Sequence, residues 1–145
     1  MKPVDQTLFG EAEGNYQAAC LASILELPLD RVPNFCGDPP RTHAWQKAQN
    51  EWLAFYGLVI LTVELRDDGQ LPSMNFLVDG VICIVSGKSP RGDFDHAVVG
   101  RYRLSTNRHW LEYIHDPHPS RHFLPKPRSV GFFVSIEACR PEEER

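Results

Sequence analysis

The sequence predicts an α+β protein with an antiparallel sheet, mainly because of the order in which its apolar patterns occur. Two segments with helical spacing of apolar residues lie within the first 56 residues, and β-branched runs typical of strands follow from residue 58. Helices grouped before a series of strands are typical of the α+β class. A chain of 145 residues, 42% of them hydrophobic, can bury one sizeable core. We therefore predict a single domain over residues 1–140 and a charged tail over 141–145.

The first helix is predicted to run from Asn15 to about Leu27. Asparagine is a preferred N-cap residue, because its side-chain oxygen can accept a free backbone N–H of the first turn. The residues at positions 16, 20, 23 and 27 share one face, and apolar residues occupy positions 21, 24 and 25. We therefore expect a central, mostly buried helix, which Pro28 ends.

A second helix is predicted from Thr42, its N-cap, to Tyr56. Gly57 follows at the position where a C′ glycine ends a helix. The apolar stripe of this helix, which we expect to pack in the core, comprises Trp45, Ala48, Trp52, Phe55 and Tyr56.

The second half of the chain contains the predicted strands, while residues 71–79 show no clear pattern. These strands cover residues 58–65, 80–86, 95–103, 110–114 and 130–136. The third and fourth strands are separated by a short connection, so we expect them to pair as an antiparallel hairpin. That pairing would bring His96, at the start of one strand, beside Asp116, directly after the other.

Composition and charge exclude several classes of function. The net charge of −4 and the pI near 5.8 argue against a general nucleic-acid-binding protein, which needs a basic face. No apolar run approaches the roughly 20 residues of a membrane helix, and the first residues lack the apolar core of a signal peptide. The four cysteines, at positions 20, 36, 83 and 139, form no CxxC pair. We therefore expect a cytoplasmic protein with reduced thiols and no cofactor.

Three features could together support chemistry: the N-terminus of the first helix, His96 and Asp116. An imidazole that is oriented by a carboxylate and faces a helix N-terminus is the arrangement of a cysteine hydrolase. The alternative is a hydrogen-bonded structural histidine next to an Asp-Pro turn. Spacing alone leaves both interpretations open.

A histidine cluster offers a second interpretation of the same region. His115, Asp116, His118 and His122 have a spacing that could ligate zinc. They lie in a proline-rich loop, however, and the histidine–carboxylate interpretation accounts better for Asp116, so no metal site is predicted. The basic residues of this region, Arg121, Lys126 and Arg128, are interpreted as a solvated loop.

Three runs of the sequence resemble a known superfamily. They are GNYQAACLASILELPLDRVPNF, DHAVVG and HDPHPS, and together they look like the papain-like cysteine peptidases. The similarity is to the bacteriocin-processing branch, which removes double-glycine leaders, and to small phage and bacterial relatives. It covers roughly residues 6–120. It implies a papain-like fold with His96 as the base, Asp116 as its orienting acid and Gln6 as the oxyanion-stabilising residue.

The sequence departs from this family at the nucleophile. The position of the nucleophilic cysteine is occupied by Tyr16, and Cys20 falls one turn later. A phenol with an ordinary pKa near 10 is a poor substitute for a thiolate, and a thiol one turn inside a helix gains little from the dipole. Two functions remain open. The chain could be a catalytically inactive relative that binds a peptide or protein in the cleft. Alternatively, it could be an active hydrolase of a peptide or other amide bond with Cys20 as nucleophile.

Overall fold

A computed structural model describes residues 1–36, 44–74 and 77–136. Within these ranges, two α-helices precede five strands, as the sequence predicts. The helices are α1 (Tyr16–Leu25) and α2 (Ala44–Leu53), with 3-10 turns at Leu29–Arg31 and Ala54–Tyr56. The strands are β1 (Leu58–Glu64), β2 (Ile82–Lys88), β3 (Asp95–Ser105), β4 (Arg108–His115) and β5 (Pro127–Ser135). They form one antiparallel sheet in the order β1-β5-β2-β3-β4. The predicted α+β class and the antiparallel sheet are confirmed.

Helix α1 is central and buried, as predicted, with residues 16–23 all buried. It ends at Leu25 rather than Leu27, because Glu26 adopts a left-handed conformation with φ 56° and its N–H bonds the Ala22 carbonyl. The predicted capping role of Asn15 is wrong. Asn15 precedes the helix, but its side chain bonds no helical N–H. Its Oδ1 accepts hydrogen bonds from the backbone N–H groups of Thr7 and Leu8 instead, each at 3.0 Å.

The predicted apolar stripe of the second helix is only partly correct. Trp45 and Trp52 pack against the core from partly buried positions. Ala48, Phe55 and Tyr56 are exposed instead, and the exposed fraction of Phe55 is 89%. The chain tightens into a 3-10 turn after Leu53, so residues 54–56 leave the α-helical face from which Phe55 was assigned to the core. Gly57, with φ 72°, ends the segment as predicted. The predicted N-cap Thr42, Cys139 and the tail 141–145 lie outside the described residues.

The central strands β2 and β3 are largely buried. Helix α1, together with α2, covers one face of the sheet over Ile60, Ile84 and Val99. On the other face, Leu71, Met74 and Leu124 pack against the sheet. The predicted hairpin between β3 and β4 is confirmed. Its ladder begins at the turn and ends at the pair Val99 and His115. This register brings the start of β3 next to the residue that follows β4.

Among the described residues, no helix is both long and apolar enough to cross a membrane. The three described cysteines, Cys20, Cys36 and Cys83, are buried and form no disulfide within the described part of the chain. The expectation of reduced thiols is therefore met within the described part of the chain.

Candidate functional site

The centre of the site is a buried pair formed by His96 and Asp116. Nε2 of His96 lies 2.7 Å from Oδ1 of Asp116, and the two residues are 1% and 0% exposed. Since an ionised carboxylate can only accept, we assign the Nε2 proton to the hydrogen bond, which leaves Nδ1 as the basic nitrogen in the neutral ring. The pairing expected from the β3–β4 hairpin is present. It gives His96 a fixed tautomer and orientation.

Asp116 is held in its ionised form by hydrogen bonds. Burial alone would raise its pKa, but the hydrogen bonds from His96 and from the backbone N–H groups of His118 and Phe123 outweigh burial and lower the pKa to about 2. The backbone bonds measure 2.9 Å from His118 to Oδ1 and 2.8 Å from Phe123 to Oδ2. The carboxylate is therefore charged at neutral pH.

The loop after β4 folds around this carboxylate through unusual backbone conformations. Arg121 and Phe123 have φ values of 54° and 57°, in the left-handed region that residues other than glycine rarely occupy. Each such residue costs about 1–2 kcal/mol. The Phe123 conformation accompanies the hydrogen bond of its N–H to Asp116, so the strain is located where the loop fixes the carboxylate.

Tyr16 lies against the histidine of this pair. The ring centroids of Tyr16 and His96 are 5.4 Å apart in an edge-to-face arrangement with an interplanar angle of 63°. Tyr16 is the first residue of α1 and is only 6% exposed. The helix N-terminus, His96 and Asp116 thus converge as the sequence predicts, with an aromatic ring at the helix end.

Cys20 lies one turn further along α1 and is 0% exposed. Burial raises the pKa of the Cys20 thiol well above its ordinary value, and the neighbouring Asp116 and Cys36 raise it further. Since the thiolate is the nucleophilic form, this environment disfavours attack by Cys20 at neutral pH.

Gln6 belongs to the segment that packs against the site, and it is 5% exposed. Its backbone N–H donates to the Pro117 carbonyl at 2.9 Å, directly after Asp116. Its side-chain Nε2 donates to the Leu8 carbonyl at 2.9 Å, while Oε1 is buried without a hydrogen-bond partner among the described residues. One N–H of the predicted oxyanion donor is therefore already used within the N-terminal segment.

The N-terminal segment is tied to the Asp116 loop by a salt bridge that the sequence analysis missed. Arg121 donates to Asp5 through both Nη1 and Nη2, at 2.7 and 2.8 Å, and Nη1 also bonds the Asp116 carbonyl. The hydrogen bond from Arg121 is the main cause that lowers the pKa of Asp5. The interpretation of Arg121 as part of a merely solvated loop is therefore incomplete. A separation of 116 residues left no local signal for this pair.

A cavity of about 490 Å³ opens beside Tyr16 and His96, between the helices and the sheet. Its walls combine the aromatic ring of Trp45 with amide side chains of Gln17 and Gln49 and with the ion pair of Arg128 and Asp95. Its volume lies within the range of small-molecule sites, roughly 300–1,000 Å³. The Gln17–Gln49 pair has no local sequence signal, because its members are 32 residues apart.

The histidines of the alternative zinc interpretation have other contacts. His115 Nε2 lies 3.0 Å from the Val4 carbonyl and 3.3 Å from Asp5, and His118 Nδ1 accepts the Ser120 N–H at 3.0 Å. Among residues 1–36, 44–74 and 77–136, no group of three or more His, Cys, Asp and Glu side chains is arranged to hold a metal ion.

Comparisons of the chain with family models, curated proteins and solved structures give no significant match.

Proposed function

We propose that this protein is a catalytically inactive member of the papain-like group that binds a peptide segment, free or within a partner protein, in the cavity beside Tyr16 and His96. The observation that carries the proposal is the contact of Tyr16 with His96 at the start of α1. In the resemblance described above, this is the position of the nucleophilic cysteine. A tyrosine there keeps the helix end packed on the imidazole and supplies no thiolate.

The preserved histidine–carboxylate pair supports descent from a catalytic site. A structural histidine alone needs no carboxylate with three hydrogen-bond donors and a pKa of about 2. The open cavity supports retention of binding, because it adjoins Tyr16 and His96 and combines an aromatic wall with polar groups that can fix a ligand's orientation.

The alternative function, hydrolysis by Cys20, has less support from the geometry. A cysteine nucleophile needs solvent access and a lowered pKa. Cys20 is fully buried and its pKa is raised by burial. Hydrolysis by Cys20 would require α1 to rearrange before substrate could reach its sulfur.

Thiol labelling tests the two functions against each other. We expect iodoacetamide to modify Cys20 of the folded parent protein no faster than Cys83, which is equally buried, as followed by mass spectrometry of peptides. In the Tyr16→Cys variant, the new thiol lies at a helix N-terminus beside His96. We expect it to be labelled faster than an ordinary exposed thiol below pH 7, because this position favours the thiolate.

Two control variants make the result specific. Tyr56→Cys places a thiol at a half-exposed position with no imidazole–carboxylate pair, and its labelling should show the ordinary thiol pH dependence. Adding His96→Ala to Tyr16→Cys should remove the acceleration. Selective labelling of Cys20 in the parent that is lost in His96→Ala would overturn the inactive-site proposal. A Tyr16→Cys thiol no more reactive than Tyr56→Cys would contradict descent from a catalytic site.

A further inference from the structure

The cavity contains a buried pair of amide side chains with unused hydrogen-bonding capacity. Gln17 Nε2 donates to Gln49 Oε1 at 2.8 Å, and the two residues are 5% and 3% exposed. Both line the cavity, one from α1 and the other from α2. Neither side chain makes a further hydrogen bond within the described part of the chain.

This pair presents a donor and an acceptor side by side. After the shared bond, Gln17 retains the acceptor Oε1, and Gln49 retains the hydrogens of Nε2. If both amides were rotated by 180°, the roles would exchange, and the pair would still present one acceptor and one donor. The pair therefore offers a ligand one donor and one acceptor, however the amide oxygen and nitrogen atoms are assigned.

We propose that the Gln17–Gln49 pair binds an amide group of the peptide, with the ligand N–H donating to one glutamine and the ligand carbonyl accepting from the other. A primary amide carries one donor and one acceptor on the same edge in fixed geometry. Within the described part of the chain, neither Gln17 Oε1 nor Gln49 Nε2 is fully buried without a partner, so water in the open cavity can satisfy them until a ligand displaces it. This inference rests on the proposed binding function and specifies its ligand chemistry.

The Gln17–Gln49 pair lines the same cavity as Tyr16 and His96. Gln17 directly follows Tyr16, and both residues line the cavity together with His96. An amide held by the glutamines would lie next to the position of the family nucleophile. A glutamine or asparagine side chain presents its C=O and an N–H on the same edge. A trans backbone amide points these groups to opposite sides, so a backbone ligand would use the N–H and C=O of one extended residue, which face the same side.

The test is an NMR titration of the full chain with three capped tripeptides, whose central residue is glutamine, glutamate or alanine. The side-chain NH₂ signals of Gln17 and Gln49 report the contact directly. We expect saturable shifts of these signals with the glutamine peptide and weaker or no shifts with the glutamate peptide, which lacks the donor. If the alanine peptide shifts these signals as much as the glutamine peptide, the groups bound by Gln17 and Gln49 belong to the peptide backbone.

The variant Gln49→Glu keeps the acceptor for Gln17 and removes the donor offered to the ligand. We expect it to weaken binding of the best peptide about tenfold, since a buried hydrogen bond is lost. Gln70→Glu is the matched control, because it introduces the same charge at an exposed position that does not line the cavity. It should bind within about twofold of the parent.

The results distinguish a wrong amide site from a wrong assignment of peptide binding to this cavity. If peptides shift the backbone signals of Trp45 and Ile60 but binding is unchanged in Gln49→Glu, the amide site is wrong and peptide binding stands. If none of the three peptides shifts any cavity signal, both the amide site and peptide binding in this cavity are wrong.

Discussion

Asp116 shows at the scale of one residue how the site combines stability with a fixed orientation. Its two oxygens accept three hydrogen bonds, one from the His96 ring and two from backbone N–H groups. A buried carboxylate is stable only with such partners. The same bonds that hold the imidazole therefore also compensate for burying the charge.

Replacing Asp116 by asparagine should destabilise the protein by about 2 kcal/mol at pH 7. The amide can accept from His96, but its NH₂ group would face a backbone donor, leaving a buried N–H unpaired. Urea unfolding measures the free energy difference. Asp93→Asn, which changes a 96%-exposed side chain, is the control and should change stability by less than about 0.5 kcal/mol. Similar losses in the two variants would contradict the structural role of the Asp116 carboxylate.

The difference between the parent and Asp116→Asn should also depend on pH. The pKa of Asp116 is lowered to about 2 in the folded state, below its ordinary value near 3.8 in the unfolded chain. The unfolded state therefore binds the proton first as the pH falls. The stability contributed by the carboxylate is fully present above about pH 5 and declines as the pH falls towards 2, by on the order of 1–2 kcal/mol. Urea unfolding at intervals between pH 6 and pH 2 should show the two curves converging.

The residue scale is also where prediction from sequence succeeded and failed most clearly. His96 and Asp116 could be paired because each lies at an end of a strand in one hairpin, and a hairpin fixes which ends are adjacent. Asn15 was misjudged because its preference for N-caps is a local statistic. The N-terminal segment, which packs beside it, uses its oxygen for two backbone N–H groups instead.

At the scale of elements, the Asn50 side chain forms hydrogen bonds between helix α2 and the sheet. Strand β1 is an edge strand whose inner side pairs with β5. The Asn50 side chain accepts the Ile60 N–H at 2.8 Å and donates to the Ile60 carbonyl at 3.1 Å. It therefore satisfies backbone groups that an edge strand otherwise leaves to solvent or to another strand.

Removing the Asn50 amide should loosen α2 from the sheet. We expect Asn50→Ala to lower the free energy of unfolding by about 1–3 kcal/mol, because both backbone groups of Ile60 lose their partner. Hydrogen exchange of the Ile60 amide should accelerate together with that of α2. Gln46→Ala changes an exposed residue of the same helix. It should change the free energy of unfolding and the exchange rate of the Ile60 amide much less than Asn50→Ala does. Unchanged exchange at Ile60 in Asn50→Ala would refute this account.

Element boundaries were predictable only where a residue enforces them. Gly57 ends its segment in the expected left-handed conformation. The early end of α1 depends on Glu26, which has no comparable intrinsic preference for φ 56°. The exposure of Phe55 follows from a switch to a 3-10 turn that periodicity calculated for an α-helix does not represent.

At the scale of the molecule, the N-terminal segment connects parts of the fold that are remote in sequence. The Lys2 N–H bonds the Ser23 carbonyl of α1, and the Gln6 N–H bonds the Pro117 carbonyl of the loop after β4. The sequence could not predict these contacts, because irregular segments have no periodicity and pair over long separations. The β3–β4 hairpin was predictable for the opposite reason, since its two strands are neighbours in the chain.

The Asp5–Arg121 salt bridge should stabilise mainly the local contact between the N-terminal segment and the loop after β4. Both side chains are about 40% exposed, so we expect a coupling of no more than about 1 kcal/mol in a double-mutant cycle with Asp5→Asn and Arg121→Gln. The coupling should shrink in 1 M salt because exposed charges are screened. In each single variant, the Gln6 amide should exchange faster, because its partner Pro117 lies in the loop that Arg121 holds. Lys88→Gln breaks a more exposed ion pair, with Asp93, and should leave Gln6 unaffected. A coupling well above 1 kcal/mol that persists in 1 M salt would show instead that the Asp5–Arg121 pair contributes to global stability, because only a desolvated pair resists screening.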